Sequence, residues 1–382
     1  MEEYRWDRRT GHALWQRGGY KVRTEDIIAE ITRLCGKIGR PVKLMEVCGT
    51  HTVSIFRHGI KGMLPKPIKL ISGPGCPVCV TALKDIAASI RLSLMENTVL
   101  MTFGDMMHVP AGNRDSLYKA RGRGAKVDTV YSPLDALAFA AANSDLEVVF
   151  FATGFETTSP LIAATLMEAR ERGIKNFTVF SAHKLVPPAL RALLNMPGVA
   201  LDGFILPGHV STIIGMRPYE FISTELGSKE FGVPGVITGF EGNEILTGIY
   251  MLLLQISEGR AEIEIEYKKA VRPEGNPKAV AMTEQVFSTV DTEWRGLGVI
   301  PMSGLELRDE FSYYDAGKKL PETAVDYSPA SACMCADVLR GIITPPECHL
   351  FKKACTPENP VGACMVSSEG SCSAYYRYGE TV

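Results

Sequence analysis

The C-terminal stretch limits what the rest of this chain can be. From residue 331 it runs SACMCADVLRGIITPPECHLFKKACTPENPVGACMVSSEGSCSAYY. Six of the ten cysteines lie there: Cys333, Cys335, Cys348, Cys355, Cys364 and Cys372. The one apolar run, Val338 to Ile343, is short. Such a segment builds little hydrophobic core, so its order has to come from something else. Thiolates gathered around a metal or a cluster would supply that order. Dispersed buried thiols are the plainer alternative. The gaps between the six are 1, 12, 6, 8 and 7 residues. This is neither a zinc-ribbon spacing nor the compact bacterial ferredoxin run. Four of the six can hold a [4Fe-4S] cluster, and zinc is the rival.

Two further cysteine sites lie near the front. Cys76-Pro77-Val78-Cys79 is a CxxC whose spacing puts both sulfurs on the first turn of a helix. Backbone N–H groups and the helix dipole favour a thiolate there. A redox-active dithiol, half of a zinc site and an inert core pair are the three readings. The absence of a second CxxC weakens zinc. Cys48 stands alone after KLMEV. Gly49 permits a close backbone approach, and His51 is placed to orient or deprotonate the thiol. A small buried residue at a strand end is the alternative. A soft thiolate at Cys48 suits a low-valent transition metal.

The start, MEEYRWDRR, has no apolar core and is not a secretory signal. The longest apolar helix candidate, ILTGIYMLLLQI at 245–256, has 12 residues, too few to cross a bilayer. The expected compartment is the cytosol, with no membrane association. In a reducing compartment ten cysteines argue for metal, cluster or redox chemistry over structural disulfides. With 41 basic and 43 acidic residues the net charge is −2, which offers no field to steer nucleic acid or a membrane.

The 382 residues are enough for two or three domains. From Pro41 onward, strand, loop and helix alternate as in an open parallel sheet. VKLMEV, IKLIS, TVLMTF, VDTVY, EVVFFAT, NFTVFSAH, LDGFILPGH and GVPGVITG read as strands. The expected organisation is an N-terminal arm and helix over 1–41 that packs on a third region. A first α/β domain over 42–125 carries Cys48, Cys76 and Cys79. A second, similar α/β domain covers 126–260, and an α+β region with the cysteine tail covers 261–382. Ligands bind at the carboxyl ends of such strands. Cys48, Cys76 and Asp105 fall at such ends, which implies one shared crevice. His108, Glu156, His183, His209 and Glu241 also follow strands or turns and would form its polar rim. NPKAVAMTEQVFSTVDTEW reads as one helix. No GxGxxG opens a strand–helix unit and no GxxxxGK[ST] occurs, so nucleotide binding is not supported.

The motifs EVCGTHTVSIFRHG, SGPGCPVCVT, TFGDMMHVPAG, FFATGFETTSP, FSAHKLVPPAL, FILPGHVSTIIG, GVPGVITGFE and CTPENPVGACMVSSEGSCSAYY extend from about residue 44 to residue 378. Together they resemble the HypD family of hydrogenase maturation proteins. The resemblance implies a part in building the Fe(CN)2CO unit of [NiFe]-hydrogenases. It also implies a transient complex with a HypC-type chaperone and a HypE-type cyanide donor. It implies that Cys48 ligates the iron, tuned by His51, and that Cys76 and Cys79 form a redox pair beside a [4Fe-4S] cluster. The family's cluster motif leaves 12, 6 and 16 residues between successive cysteines, which selects Cys335, Cys348, Cys355 and Cys372 and leaves Cys333 and Cys364 over. Two other readings stay open. One is a scaffold that holds iron and docks partners without redox chemistry. The other is a zinc-stabilised thiol-disulfide oxidoreductase.

Overall fold

The computed structural model describes residues 23–224, 232–320 and 332–379. The expected arm over the first 20 residues lies outside them. Nine strands pair in parallel: β1 (Val42–Glu46), β2 (Ile68–Ser72), β3 (Thr98–Thr102), β4 (Lys126–Thr129), β5 (Glu147–Ala152), β6 (Phe177–Ser181), β7 (Gly203–Pro207), β8 (Gly235–Thr238) and β9 (Ile263–Ile265). They form two sheets, ordered β2-β1-β7-β8-β9 and β4-β3-β5-β6. The central strands are buried along their length, β3 and β7 at every residue. Runs such as VVFFA and FILP, apolar on both faces, fit a sheet covered by helices on each side.

The α/β alternation of the sequence is therefore present, but the sheets do not follow a division at 125/126. β3 and β4 pair across that point, and β1 and β2 join strands that come more than 130 residues later. The chain lays down two strands of the first sheet, leaves to build the whole second sheet, and returns. Residues 263–265, expected in the third region, form the outer strand of the first sheet.

Helix Thr24–Ile38 corrects another expectation. It packs on helix Gly242–Glu258 and the first sheet, not on the cysteine-rich part. Its buried face, Ile27, Ile31 and Leu34, meets Ile249, Tyr250 and Leu253 in one apolar cluster with Val42 and Leu44. Helix Gly242–Glu258 is apolar nearly all round, so it needs cover on both sides. Glu241 and Glu244 form its capping box, and Gly259 at φ +67° closes it.

The segment expected as a single helix splits. Helix Pro277–Val286 ends where β10 (Phe287–Trp294) begins, and β10 pairs antiparallel with β11 (Gly298–Leu307). Its β-branched and aromatic residues, among them Thr289, Val290, Thr292 and Trp294, favour a pleated surface. A continuous core joins the inner faces of both sheets to the hairpin and the tail; it includes Met45, Phe204, Phe151, Trp294, Cys79 and Cys364. No helix among the described residues is long and apolar enough to cross a membrane.

Candidate functional site

Cys48 is the residue before helix Gly49–Arg57, two residues beyond the end of β1. Its sulfur receives the backbone N–H groups of His51 and Thr50. Beneath it lies Glu46, 2% exposed. The Glu46 carboxylate accepts the Cys48 N–H at 3.2 Å and the Thr52 hydroxyl at 2.6 Å, and Ser72 also bonds to it. Burial pushes Glu46 up to about 7. Burial, and then the nearby Glu369, pushes the Cys48 thiol up to about 12. At neutral pH it is therefore a protonated thiol.

The CxxC loop is pressed against this thiol's backbone. Gly75 O accepts the Gly49 N–H at 2.9 Å, and a Cβ on Gly75 would stand 2.6 Å from the Cys48 Cα. Cys76 precedes helix Pro77–Val80, with Pro77 at its first position, and its sulfur accepts the Cys79 N–H at 3.3 Å. Cys76 and Cys79 are joined as a disulfide, with Cα atoms 5.3 Å apart.

The tail packs against both strand ends. Thr50 Oγ1 donates to Glu369 Oε1 at 2.7 Å, and Ser367 Oγ donates to Asp105 Oδ2 at 2.9 Å. One tail loop thus touches the ends of β1 and β3, one strand from each sheet. Asp105 and the turn after Cys48 are thus held by the same tail loop. His209 flanks it, with its ring stacked on Phe240 at 3.9 Å. The other rim candidates have local roles. Glu241 caps a helix, His108 stacks on Tyr118, and the Glu156 carboxylate accepts the Val186 N–H at 2.9 Å. His183 pairs with Ser181.

The His51 ring faces away from the thiol. Its Nε2 lies 3.0 Å from Gly239 O and 2.9 Å from Thr238 Oγ1, and the ring stacks on Phe240. Burial lowers it to about 4, so it is neutral at pH 7. It is the backbone of His51, not the imidazole, that reaches the sulfur.

The six tail cysteines line a single cavity, together with apolar side chains such as Leu350, Phe351 and Met365. Among the described residues no charged side chain lines it, and the Val361 N–H donates to Cys355 Sγ at 3.4 Å. Soft donors, an apolar shell and N–H···S bonds fit a thiolate-held cluster. Among the described residues no three of His, Cys, Asp and Glu gather closely enough to hold one ion. The corner thiolates of a cluster stand farther apart than the ligands of one ion. Cys335 Sγ lies 2.8 Å from Cys364 Sγ, and Cys364 is within hydrogen-bonding reach of Cys79. The sulfurs thus run from the CxxC to the cavity wall. Burial pushes the Cys372 thiol well up.

Glu46, Glu369 and the Cys335–Cys364 contact are absent from the sequence-based set. Glu369 carried a signal, since it sits in the SSEG run of the tail motif. Glu46 carried only its place before a strand-end cysteine.

Fold and site together define a class: a parallel α/β protein in which a lone cysteine, a CxxC pair and a six-cysteine cavity meet at the strand ends. The chain belongs to the family described as "HypD: Hydrogenase formation hypA family", whose model matches residues 23–379. It is 46% identical over 346 residues to the hydrogenase maturation factor HypD of Azotobacter vinelandii, covering 89% of this chain and 90% of that one. To the factor of the same name from Cupriavidus necator it is 43% identical over 359 residues, covering 92% and 93%. To a putative hydrogenase expression/formation protein of Methanocaldococcus jannaschii it is 40% identical over 351 residues, covering 92% and 96%.

Proposed function

We propose that this protein acts in [NiFe]-hydrogenase maturation by holding iron at Cys48 while the Fe(CN)2CO group is built, with Cys76 and Cys79 supplying redox equivalents. The family and the names of its relatives, hydrogenase maturation factors, set the pathway. One observation carries the mechanism: Gly75 packs the CxxC loop on the backbone of Cys48, while Cys79 reaches Cys364 on the cavity wall.

The iron is cargo. A single soft thiolate at the base of a cleft leaves its remaining positions open for ligands. The N–H groups of Thr50 and His51 orient that sulfur. Glu46 holds the turn that carries it. Reduction of the Cys76–Cys79 disulfide takes up two electrons, which the pair can return to a sulfur-bound ligand during transfer. A [4Fe-4S] cluster in the tail cavity would pass single electrons. The 2.8 Å contact between Cys335 and Cys364 supports Cys333, Cys348, Cys355 and Cys372 as its ligands, with Cys333 in place of Cys335. Cys335 and Cys364 then link the cavity to Cys79. A HypC-type partner provides the opposite thiolate and a HypE-type partner the cyanide.

The test is metal analysis with visible and EPR spectra on protein purified without oxygen. About four irons per chain and a band that bleaches on reduction are expected for the tail cluster. Cys48→Ser should keep these and lose the further iron that binds with the HypC-type partner. Stoichiometric zinc in colourless protein would replace the cluster by a zinc-stabilised thiol oxidoreductase. Normal maturation by the Cys76→Ser/Cys79→Ser protein would reduce the role to a scaffold.

A further inference from the structure

One tail helix, Ser371–Tyr378, touches both the cysteine cavity and the helix that Cys48 precedes. Cys372, in its first turn, lines the cavity. Tyr376 follows four residues later, on the same face. Its ring stands nearly perpendicular to that of Phe351, with centroids 6.3 Å apart, and Phe351 lies on the loop between Cys348 and Cys355. Tyr375 projects about 100° round the helix from Tyr376. It meets Phe56 edge to face, with ring centroids 4.7 Å apart. Phe56 belongs to helix Gly49–Arg57, which starts at the residue after Cys48. Lys61, just beyond that helix, donates from Nζ to the Tyr375 hydroxyl and lies 4.7 Å over the Phe56 ring. The first turn is held as well: a Cβ on Gly49 would stand 2.7 Å from the Glu369 carbonyl oxygen. Helix Gly49–Arg57 is thus clasped at both ends by the tail. The tail's own apolar cluster has three buried members among the described residues, Cys355, Val361 and Met365.

We propose that Tyr375 is a positioning residue for Cys48, passing the filling of the six-cysteine cavity on to helix Gly49–Arg57. The helix is fixed when the cavity holds its cluster and loosened when the cluster is removed. This rests on the cluster reading above. So small an apolar cluster does little to order the tail, and metal-held thiolates supply what it lacks. Helix Ser371–Tyr378 is then already ordered, and Tyr375 meets Phe56 and Lys61 with no further loss of chain entropy. The coupling is a free energy shared by two places, so it runs both ways. Whatever fixes helix Gly49–Arg57 also favours a filled cavity.

The experiment follows amide hydrogen exchange by mass spectrometry in the full chain, purified without oxygen. Three samples are compared: cluster-bearing protein, the same protein stripped with EDTA and ferricyanide and re-reduced with dithiothreitol, and stripped protein refilled with iron and sulfide. Stripping should speed exchange of the peptide covering 49–57 about tenfold, and refilling should reverse this. Helix Ser159–Glu171, beside the second sheet, should keep its protection. In Tyr375→Ala that retains the visible spectrum of the cluster, the 49–57 peptide should exchange fast throughout and ignore stripping. A residue with a merely structural role would raise exchange and leave the response in place. An unchanged 49–57 peptide on stripping of wild type overturns the inference. So does an equal response in wild type and Tyr375→Ala, and so does a loss of protection that extends to Ser159–Glu171. If Tyr375→Ala takes up no cluster, Phe56→Leu removes the ring contact from the other helix, and a response that survives there overturns the inference. Protein that carries no cluster when purified without oxygen sinks the cluster reading, and this inference with it. Cluster-bearing protein that fails the exchange test sinks this inference alone.

Discussion

Replacing Glu46 by glutamine should flatten the dependence of stability on pH. In the folded protein burial lifts this carboxyl from 4.5 to about 7, whereas in the unfolded chain it returns to its ordinary value. The folded state thus holds the proton more tightly. The stability tied to this group is fully present below about pH 4.5, erodes as pH rises, and is gone above about pH 7. Integrating between pH 5 and pH 8 gives a loss of about 2.5 kcal/mol from this one group. The substituted glutamine cannot ionise, yet its amide oxygen can still accept the N–H of Cys48. Urea unfolding of both proteins at pH 5 and pH 8 measures the effect. Wild type should lose about 2.5 kcal/mol more than Glu46→Gln over that span. Glu156, also raised to about 7 by burial, contributes equally to both proteins and cancels. Equal losses would refute the reasoning. They would mean that Glu46 is ionised in the folded state, held by Lys61, whose charge opposes the burial effect.

Gly75→Ala should abolish partner-dependent iron at Cys48 while the tail keeps its metal, because the new Cβ collides with the backbone of Cys48 rather than with a yielding side chain; metal analysis of the two pools checks this. Leu253→Ala, in the cluster between helix Thr24–Ile38 and helix Gly242–Glu258, should cost about 2–5 kcal/mol in urea unfolding. Ser303→Ala removes the 2.8 Å acceptor of the buried Trp294 Nε1–H. It should cost about 1–3 kcal/mol and shift the tryptophan emission.

The α/β class and the strand positions were legible because both rest on local pattern. Buried strands such as β5 show as unbroken apolar runs, and ligand sites follow strand ends. Strand partnership is different. Nothing within VKLME marks it for pairing with GFILP rather than with TVLMT, since all three are short and apolar. The joining of helix Pro277–Val286 to β10 was missed because the apolar spacing of helix and strand overlaps over a few residues. Spacing also gave no hint that Cys335 meets Cys364, because the intervening 28 residues fold back on themselves. His51 looked like a base for Cys48 because it lies three residues away. One turn of helix, however, aims its ring at β8 instead.

The interrupted first sheet has a consequence for how the protein is made. β1 pairs with β7, whose first residue comes about 160 residues later. At synthesis rates of about 5–20 residues per second, β1 and β2 wait roughly 8–30 s on the ribosome before a central partner emerges. The segment carrying β3 to β6 supplies its own complete sheet and can condense during that wait. The strand that delivers Cys48 therefore settles late, and the loop with Glu369 that covers it arrives later still. A nascent or truncated chain therefore lacks the contacts of Thr50 with Glu369 and of Asp105 with Ser367, which form only once synthesis has run through the tail.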